Sequence, residues 1–257
     1  MDATALGKKV FFVNPHSVIE NKLIQELINR EYEVYLIKDH RKIESICEFF
    51  TDPVIFINID EGLVESEWEI LIRSLMEKES TRHSRIGIVT YNDNSLLSRK
   101  YLMDIMVPCG YIKLKLGLND STEIIIKTLE ANEVKGKRRY VRATCHPDDA
   151  KFNVPISDRI EKGYIVDISS VGMAVQFESN LNLLKNSFLP DVQLKLKGIL
   201  INISVVVLGF REIEGEKKTY LLMFDSRISK INKMKIRKYI HRTLQQNMER
   251  KLNFQYA

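Results

Sequence analysis

KRRYVR, at residues 137–142, places three arginines within five positions of a segment that then becomes apolar. The planar guanidinium groups of Arg138, Arg139 and Arg142 can each bind phosphate, or the O6 and N7 edge of guanine, through two hydrogen bonds. One kind of ligand offers both of these features. The arginine cluster therefore indicates a nucleotide or a nucleic acid as the partner of this part of the chain.

DISSVG, at residues 167–172, follows about one hairpin further along the chain. If this segment continues a strand, Asp167 and Ser169 lie on the same face, because side chains two residues apart share a face. A carboxylate can accept the N1–H and N2–H groups of guanine, and a serine can donate or accept one bond. Gly172 permits a positive φ or the close approach of a ligand. Together, the two segments predict a site for a guanine nucleotide with more than one phosphate.

The two segments fit an RxxxR element, from Arg138 to Arg142, and a (D/N)xSxxG element. In this order and spacing, residues 135–254 resemble the PilZ domain, a family that binds the bacterial second messenger cyclic di-GMP. The resemblance implies a six-stranded β-barrel with a C-terminal helix, and an RxxxR segment that folds over the ligand. It also implies that the three arginines contact phosphates and guanine faces, while the aspartate and the serine bind guanine edges.

Both segments also allow other interpretations. An arginine cluster alone is typical of a solvated basic face or of a nonspecific contact with nucleic acid. Asp-x-Ser before glycine is common turn chemistry, because short polar side chains bond their own backbone. Two alternatives therefore stay open, a nonspecific nucleic-acid-binding protein and an adaptor whose PilZ-like site is vestigial.

Charge divides the chain into two parts. Residues 1–130 carry 16 Lys and Arg against 21 Asp and Glu, a net charge of −5, whereas residues 131–257 carry 23 against 13, a net charge of +10. The basic surface therefore belongs to the second part. We predict a first domain over residues 1–130, a short polar linker over 131–137 and the barrel domain over 138–257.

The first part alternates short β-rich runs with helical patterns. The runs are apolar on both faces, which is typical of buried parallel strands. Five such β-α units in about 130 residues predict a doubly wound α/β domain. The predicted strands are 9–13, 33–37, 54–58, 86–90 and 111–114, and the predicted helices are 17–30, 42–50, 65–78, 95–106 and 121–130.

This order resembles the receiver domain of bacterial response regulators, which accepts a phosphoryl group on an aspartate at the end of its third strand. Here Asn58 occupies that place, and an amide cannot form an acyl phosphate. Thr90 lies where a receiver has its switch hydroxyl, and Lys113 or Lys115 could be the fifth-strand lysine. We therefore predict an unphosphorylated pseudo-receiver that contacts a protein partner or positions the second domain. Asp60, with the glutamate after it, belongs either to a metal site or, as we prefer, to a solvated loop.

The second part is predicted to be all-β up to a C-terminal helix over 229–252. Strands of 150–156, 163–168, 172–177, 192–196, 199–210 and 218–224 suit a small barrel. Four apolar side chains of the helix are predicted to cap the barrel: Met234, Ile240, Leu244 and Met248. The basic residues of the same helix are interpreted as a solvated face.

The remaining composition argues against catalysis. Three cysteines lack CxxC pairing and five histidines lack i, i+4 pairing, so neither a disulfide framework, a metal site nor a cofactor is expected. No nucleophile elbow, P-loop or paired carboxylates occur, and we predict that the protein is not an enzyme. With no run of about 18 apolar residues and no leader pattern, we expect a cytoplasmic protein without a membrane span.

We therefore interpret the chain as a two-domain bacterial effector that senses cyclic di-GMP. Ordering of the linker around the ligand would change the arrangement of the domains, and an unidentified protein partner would bind the pseudo-receiver or the barrel face. Nucleic acid is not the expected partner. Control of motility is implied by the family resemblance alone.

Overall fold

The computed structural model describes residues 7–17, 22–114, 118–212 and 217–253. Lys115, one of the two predicted fifth-strand lysines, and part of the first predicted helix lie outside these residues. By its contacts the chain forms two compact units, Met1–Arg139 with Met248–Ala257, and Tyr140–Asn247. The finer domain bounds of the sequence analysis stay predictions.

The first unit contains a five-stranded parallel sheet in the order β2-β1-β3-β4-β5. All residues of the first and third strands are buried, as their continuous apolar sequences predict for strands covered on both faces. The strands are β1 Val10–Val13, β2 Val34–Ile37, β3 Val54–Asn58, β4 Arg85–Thr90 and β5 Tyr111–Lys113.

A helix follows each strand, which confirms the predicted (βα)5 receiver-like fold. The helices are α1 Ile24–Asn29, α2 Ile43–Phe49, α3 Glu65–Glu77, α4 Ser95–Arg99, which continues as a π-helix over Lys100–Asp104, and α5 Leu118–Ala131. Because β1 pairs with both β2 and β3, the strand order reverses between β1 and β3. The carboxyl ends of strands at such a point are where open α/β sheets bind ligands.

The second unit is a closed antiparallel barrel of six strands with a seventh strand attached. The ring runs β8-β7-β10-β11-β12-β9 and closes through the pairing of β9 with β8, while β6 pairs with β8 outside the ring. The strands are β6 Arg142–Thr144, β7 Ala150–Ile156, β8 Arg159–Ser169, β9 Gly172–Phe177, β10 Phe188–Leu196, β11 Ile199–Arg211 and β12 Thr219–Phe224. The predicted six-stranded barrel is confirmed.

The C-terminal helix α6, Lys230–Asn253, adds Ile236, Tyr239 and Ile240 to the buried core of the barrel. Of the predicted capping residues, Ile240 lies in this core and Leu244 packs against it. Met234 is exposed instead. The prediction that Met234 caps the barrel is wrong. The helix has few apolar residues, and the face that packs against the barrel is not the one that this pattern indicated.

Candidate functional site

A β-bulge in β8 places the DISSVG segment on the outside of the barrel. The pairing of β8 with β9 shifts between Ile165 and Asp167, so that Ile165 and Ile168 both belong to the buried core. Without the additional residue, strict alternation would turn Asp167 inward with Ile165. Asp167 and Ser169 therefore share the outward face, on either side of Ile168.

The short strand β6 brings Arg142 to the same face. Its residues pair antiparallel with β8, so that Arg142 lies opposite Ser169 and Thr144 lies opposite Asp167. Ala143 between them is fully buried in the core. Because side chains alternate along a strand, Arg142 and Thr144 point outward.

Arg142 and Asp167 form an ion pair that leaves part of the carboxylate without a hydrogen bond. Nη1 of Arg142 lies 3.2 Å from Oδ1 of Asp167, and the two side chains are 43% and 15% exposed. Oδ1 is buried and accepts no hydrogen bond of good geometry from the described part of the chain. The ion pair with Arg142 offsets part of the cost of burying this oxygen, and a hydrogen-bond donor of good geometry would stabilise it further. The N1–H and N2–H groups of guanine are donors of the required kind.

Ser169 stabilises the two-residue turn between β8 and β9. Its Oγ donates to the carbonyl O of Gly172 at 3.1 Å and accepts from the backbone N–H of Val171 at 3.4 Å. The side chain is buried. A hydroxyl oxygen has a second lone pair, so a role in the turn and a role in binding a ligand are compatible at this position.

Gly172 is required by the packing of the barrel. A Cβ at this position would lie 2.5 Å from the carbonyl O of Leu222 and 3.3 Å from Cα of Met223, on the paired strand β12. The backbone of Gly172 is outside the left-handed region. The close approach of β12, and not a positive φ, therefore excludes a side chain here.

Arg138 and Arg139 are exposed and lie in the irregular segment before β6. They end the first compact unit, whereas the other four predicted ligand-binding residues belong to the second. The structure therefore brings four of the six predicted residues together within one unit.

The strand pairing also shows two residues that the sequence analysis missed. Thr144 lies opposite Asp167 in β6, and Met223 lies opposite Gly172 in β12. Both have outward side chains beside the predicted site. Neither belongs to the two sequence motifs, and Met223 comes from a strand 51 residues beyond Gly172 in the chain, so only the pairing identifies it.

In the first unit, Asp60 is the centre of a polar cluster at the carboxyl ends of the strands. Its carboxylate accepts hydrogen bonds from the hydroxyl of Thr90 and from the backbone N–H of Tyr91 at 2.7 Å, and Nε2 of His16 lies 3.1 Å away. The loop after β1 provides His16, the end of β4 and the residue after it provide Thr90 and Tyr91, and Asp60 itself lies in the loop after β3. Asp60 therefore joins three loops through bonds within the chain.

Asn58 links two of the same loops. Its Nδ2 donates to the carbonyl O of Asn14 at 2.7 Å, and its Oδ1 accepts from the backbone N–H of Asp60 at 3.0 Å. An amide can make both bonds because it carries a donor and an acceptor, whereas a carboxylate could not donate to Asn14. Asn58, at the position of a receiver's phosphoacceptor, thus has a structural role in this chain.

Burial affects the protonation of the three thiols. Cys47, Cys109 and Cys145 are free and buried. Burial raises the pKa of each thiol to about 11, so the nucleophilic thiolate form is scarce. In the described residues, no three or more His, Cys, Asp or Glu side chains are grouped to hold a metal ion. Over the same ranges, no helix is both long and apolar enough to cross a membrane.

A cavity of about 680 Å³ lies in the first unit, beside the residues that precede β1, β2 and β3. The cavity thus lies at the amino ends of the parallel strands, whereas the Asp60 cluster lies at their carboxyl ends. Its lining carries charges of both signs and includes Lys8, Asp52 and Lys135. None of the six predicted ligand-binding residues lines this cavity.

A family model matches part of the second half of the chain. Residues 136–242 match the family model of the PilZ domain. The PilZ resemblance that was inferred from the two motifs is confirmed for this range. No curated protein matches the chain.

Solved structures with a similar fold include two complexes with c-di-GMP and a response regulator. The complex of YcgR with c-di-GMP from Escherichia coli is 14% identical, with 45% of this chain and 49% of that chain covered and a TM-score of 0.39. The K. pneumonia MrkH–c-di-GMP complex is 22% identical, with 46% and 57% covered and a TM-score of 0.37. The chemotaxis response regulator CheY4 of Vibrio cholerae is 16% identical, with 49% and 98% covered and a TM-score of 0.38. The matched region spans less than two thirds of YcgR and of MrkH.

Proposed function

We propose that the barrel unit binds cyclic di-GMP and that the chain is an effector of this second messenger. The observation that carries the proposal is the buried Oδ1 of Asp167, which lies next to Arg142 on the outer face of the barrel and accepts no hydrogen bond from the described residues. It lies within the residues that match the PilZ domain. A guanine base would supply the donors that this oxygen lacks.

Each predicted residue has a chemical role in this proposal. Arg142 binds a phosphate or a guanine face, Asp167 accepts the N1–H and N2–H groups of guanine, and Ser169 bonds the same edge of the base. Arg138 and Arg139 add positive charge from the segment before β6. The net charge of +10 over residues 131–257 favours an anionic ligand.

The proposed output is a change in the arrangement of the two units. The arginines of the RxxxR element are divided between the units, since the first unit ends at Arg139 and the second begins at Tyr140. A ligand that binds all three arginines would order this segment and couple the units. An unidentified protein partner would recognise the result through the pseudo-receiver or the barrel face. The absence of catalysis and of a cofactor, the cytoplasmic location and the control of motility stay predictions.

Calorimetric titration with cyclic di-GMP tests the proposal, with cyclic di-AMP and GTP as competing ligands. We expect saturable binding of the guanine dinucleotide alone. Arg142→Ala removes charged hydrogen bonds worth about 1.5 to 3 kcal/mol, which corresponds to a loss of affinity of roughly 10- to 150-fold. Arg159→Ala, at the exposed start of β8, is the matched control and should bind as the wild type does. Equal affinity of the two variants would contradict the assignment.

The second candidate function is nonspecific binding of nucleic acid. It is favoured by the net charge of residues 131–257 and by the exposed basic side chains Lys230, Lys238 and Arg242 of α6. Nonspecific binding of this kind weakens steeply with salt, because phosphate contacts release counterions. Binding of duplex or single-stranded DNA with that salt dependence, together with no response to cyclic di-GMP, would favour this alternative.

A further inference from the structure

The outward face that carries Asp167 and Ser169 continues into an apolar surface. Gly172 at the start of β9 lies opposite Met223 of β12. Met223 lies opposite Val206 of β11, and Val206 lies opposite Phe188 of β10. Residues that are directly opposite in a sheet point to the same side. We call the set of Met223, Val206 and Phe188 the apolar row.

Two members of the apolar row are exposed on the outside of the barrel, and Val206 between them is half-buried. Met223 is 43% exposed and Phe188 is 49% exposed. Leu222 and Phe224, on either side of Met223, belong to the buried core. Met223 therefore points outward, which agrees with the strand alternation.

Gly172 leaves Met223 uncovered on the side of the predicted site. A Cβ at Gly172 would lie only 3.3 Å from Cα of Met223. Paired strands are about 4.8 Å apart, and glycine places no side chain over that gap. Ser169, whose Oγ bonds the carbonyl O of Gly172 at 3.1 Å, lies at the other side of the glycine. Across the outer face of the barrel, the groups therefore follow one another in this spatial order: the guanidinium of Arg142, the carboxylate of Asp167, the hydroxyl of Ser169, the uncovered Gly172 and the thioether of Met223.

This order of groups matches the chemistry of a purine base. Guanine has a polar edge, which Asp167 and Ser169 can bind. It also has two aromatic faces, which hydrogen bonds to the edge do not cover. A methionine side chain is flexible and polarizable, and its sulfur makes favourable contacts with aromatic rings. We propose that Met223 contacts the face of the bound guanine and determines the affinity for an aromatic base. This inference rests on the proposed binding of cyclic di-GMP.

Titration of Met223 variants with cyclic di-GMP tests the inference. Met223→Ala is expected to weaken binding about two- to twelvefold, the range that a contact between sulfur and an aromatic ring provides. Met223→Phe is expected to bind at least as tightly as the wild type, because an aromatic ring can also stack on guanine. Leu200→Ala is the control, since Leu200 is a 67% exposed residue of the same strand as Val206, about 20 Å along that strand. It should leave the affinity unchanged.

Methyl NMR adds a measurement that a purely structural role would not affect. In protein labelled at the methionine methyl groups, the Met223 signal is expected to shift on addition of cyclic di-GMP because of the ring current of the base. The signal of Met234, exposed on α6, should remain in place. If the wild type and Met223→Ala bind equally while Arg142→Ala binds more weakly, the role of Met223 is refuted and the proposed function stands. If the wild type does not bind cyclic di-GMP, both proposals fail.

Discussion

Asp60 of the first unit and Asp167 of the barrel are both carboxylates near the end of a strand, but their surroundings differ. Asp60 accepts hydrogen bonds from Thr90 and Tyr91 and lies beside His16. Asp167 is paired with Arg142, and its Oδ1 receives no hydrogen bond from the described residues. The first carboxylate is satisfied by its own chain, whereas the second retains capacity for an external donor.

This difference separates a structural carboxylate from one suited to a ligand. Hydrogen bonds from donors within the chain already stabilise the folded state without a ligand. A ligand that used the same carboxylate would first have to break these bonds. A buried acceptor without a hydrogen bond costs free energy in the folded state, and a ligand that supplies the donor recovers that cost. Substitution of the two carboxylates should therefore affect two different properties.

The largest effect should follow from Asp167→Ala. Alanine removes the negative charge and both oxygens that could accept from the N1–H and N2–H groups of guanine, so we expect the affinity for cyclic di-GMP to fall at least tenfold, in keeping with about 1.5 to 3 kcal/mol for a charged hydrogen bond. The stability of the barrel should change little. Titration calorimetry measures the affinity. Asp158→Ala, in the exposed turn between β7 and β8, removes the same charge as a control, and an equal loss in both variants would point to net charge alone.

Asp60→Asn should have the opposite profile. It weakens the bonds of three donors, and we expect the first unit to lose about 1 to 3 kcal/mol of stability while the affinity for cyclic di-GMP is kept. Trp68 is the only tryptophan of the chain and is fully buried in α3, where its Nε1 donates to the carbonyl O of Glu61 at 3.1 Å. Its fluorescence during urea unfolding thus reports on the first unit.

Asp104→Asn is the control for this measurement, because Asp104 is an exposed aspartate at the end of the π-helix in the same unit. An unchanged urea midpoint in Asp60→Asn would show that the cluster does not hold the loops. A large loss of affinity for cyclic di-GMP in Asp60→Asn would contradict the assignment of a structural role to Asp60 and of a ligand-binding role to Asp167 alone.

The smallest effect should come from Ser169→Ala. Loss of the bonds to Gly172 and Val171 should lower the stability of the barrel by about 1 kcal/mol, the usual value for a neutral hydrogen bond. If the hydroxyl also binds guanine, the affinity should fall several-fold as well. Circular dichroism during urea unfolding and titration calorimetry separate the two. A stability loss with wild-type affinity would make Ser169 a turn residue only.

The fold of both units could be predicted because each depends on local patterns. Runs such as VFFV at Val10–Val13 and VIFIN at Val54–Asn58 are apolar throughout, and a strand buried on both faces requires such a run. Helical periodicity between these runs predicted the alternation. The barrel followed from short strands with turn signals and from the two motifs that resemble the PilZ domain.

For the C-terminal helix, the local pattern predicted the wrong residue to face the barrel. Met234 fits an apolar position of a helix by sequence, yet Ile236 and Tyr239 face the core in its place. The sequence 230–253 is rich in lysine and arginine, with few apolar residues to define one face. The barrel end that the helix covers therefore selects its orientation.

The sequence by itself determined the alternation of strands and helices in the first part and the all-β pattern of the second, and it predicted a cluster of arginine, aspartate and serine for a guanine ligand. Only the tertiary structure decided which way these groups face. The bulge between Ile165 and Asp167 turns the carboxylate outward, and the apolar residues around it, Ile165, Val166 and Ile168, do not by themselves locate the additional residue. The pairing of Gly172 with Met223 joins residues far apart in the chain. Such contacts arise from barrel closure, which no local pattern encodes.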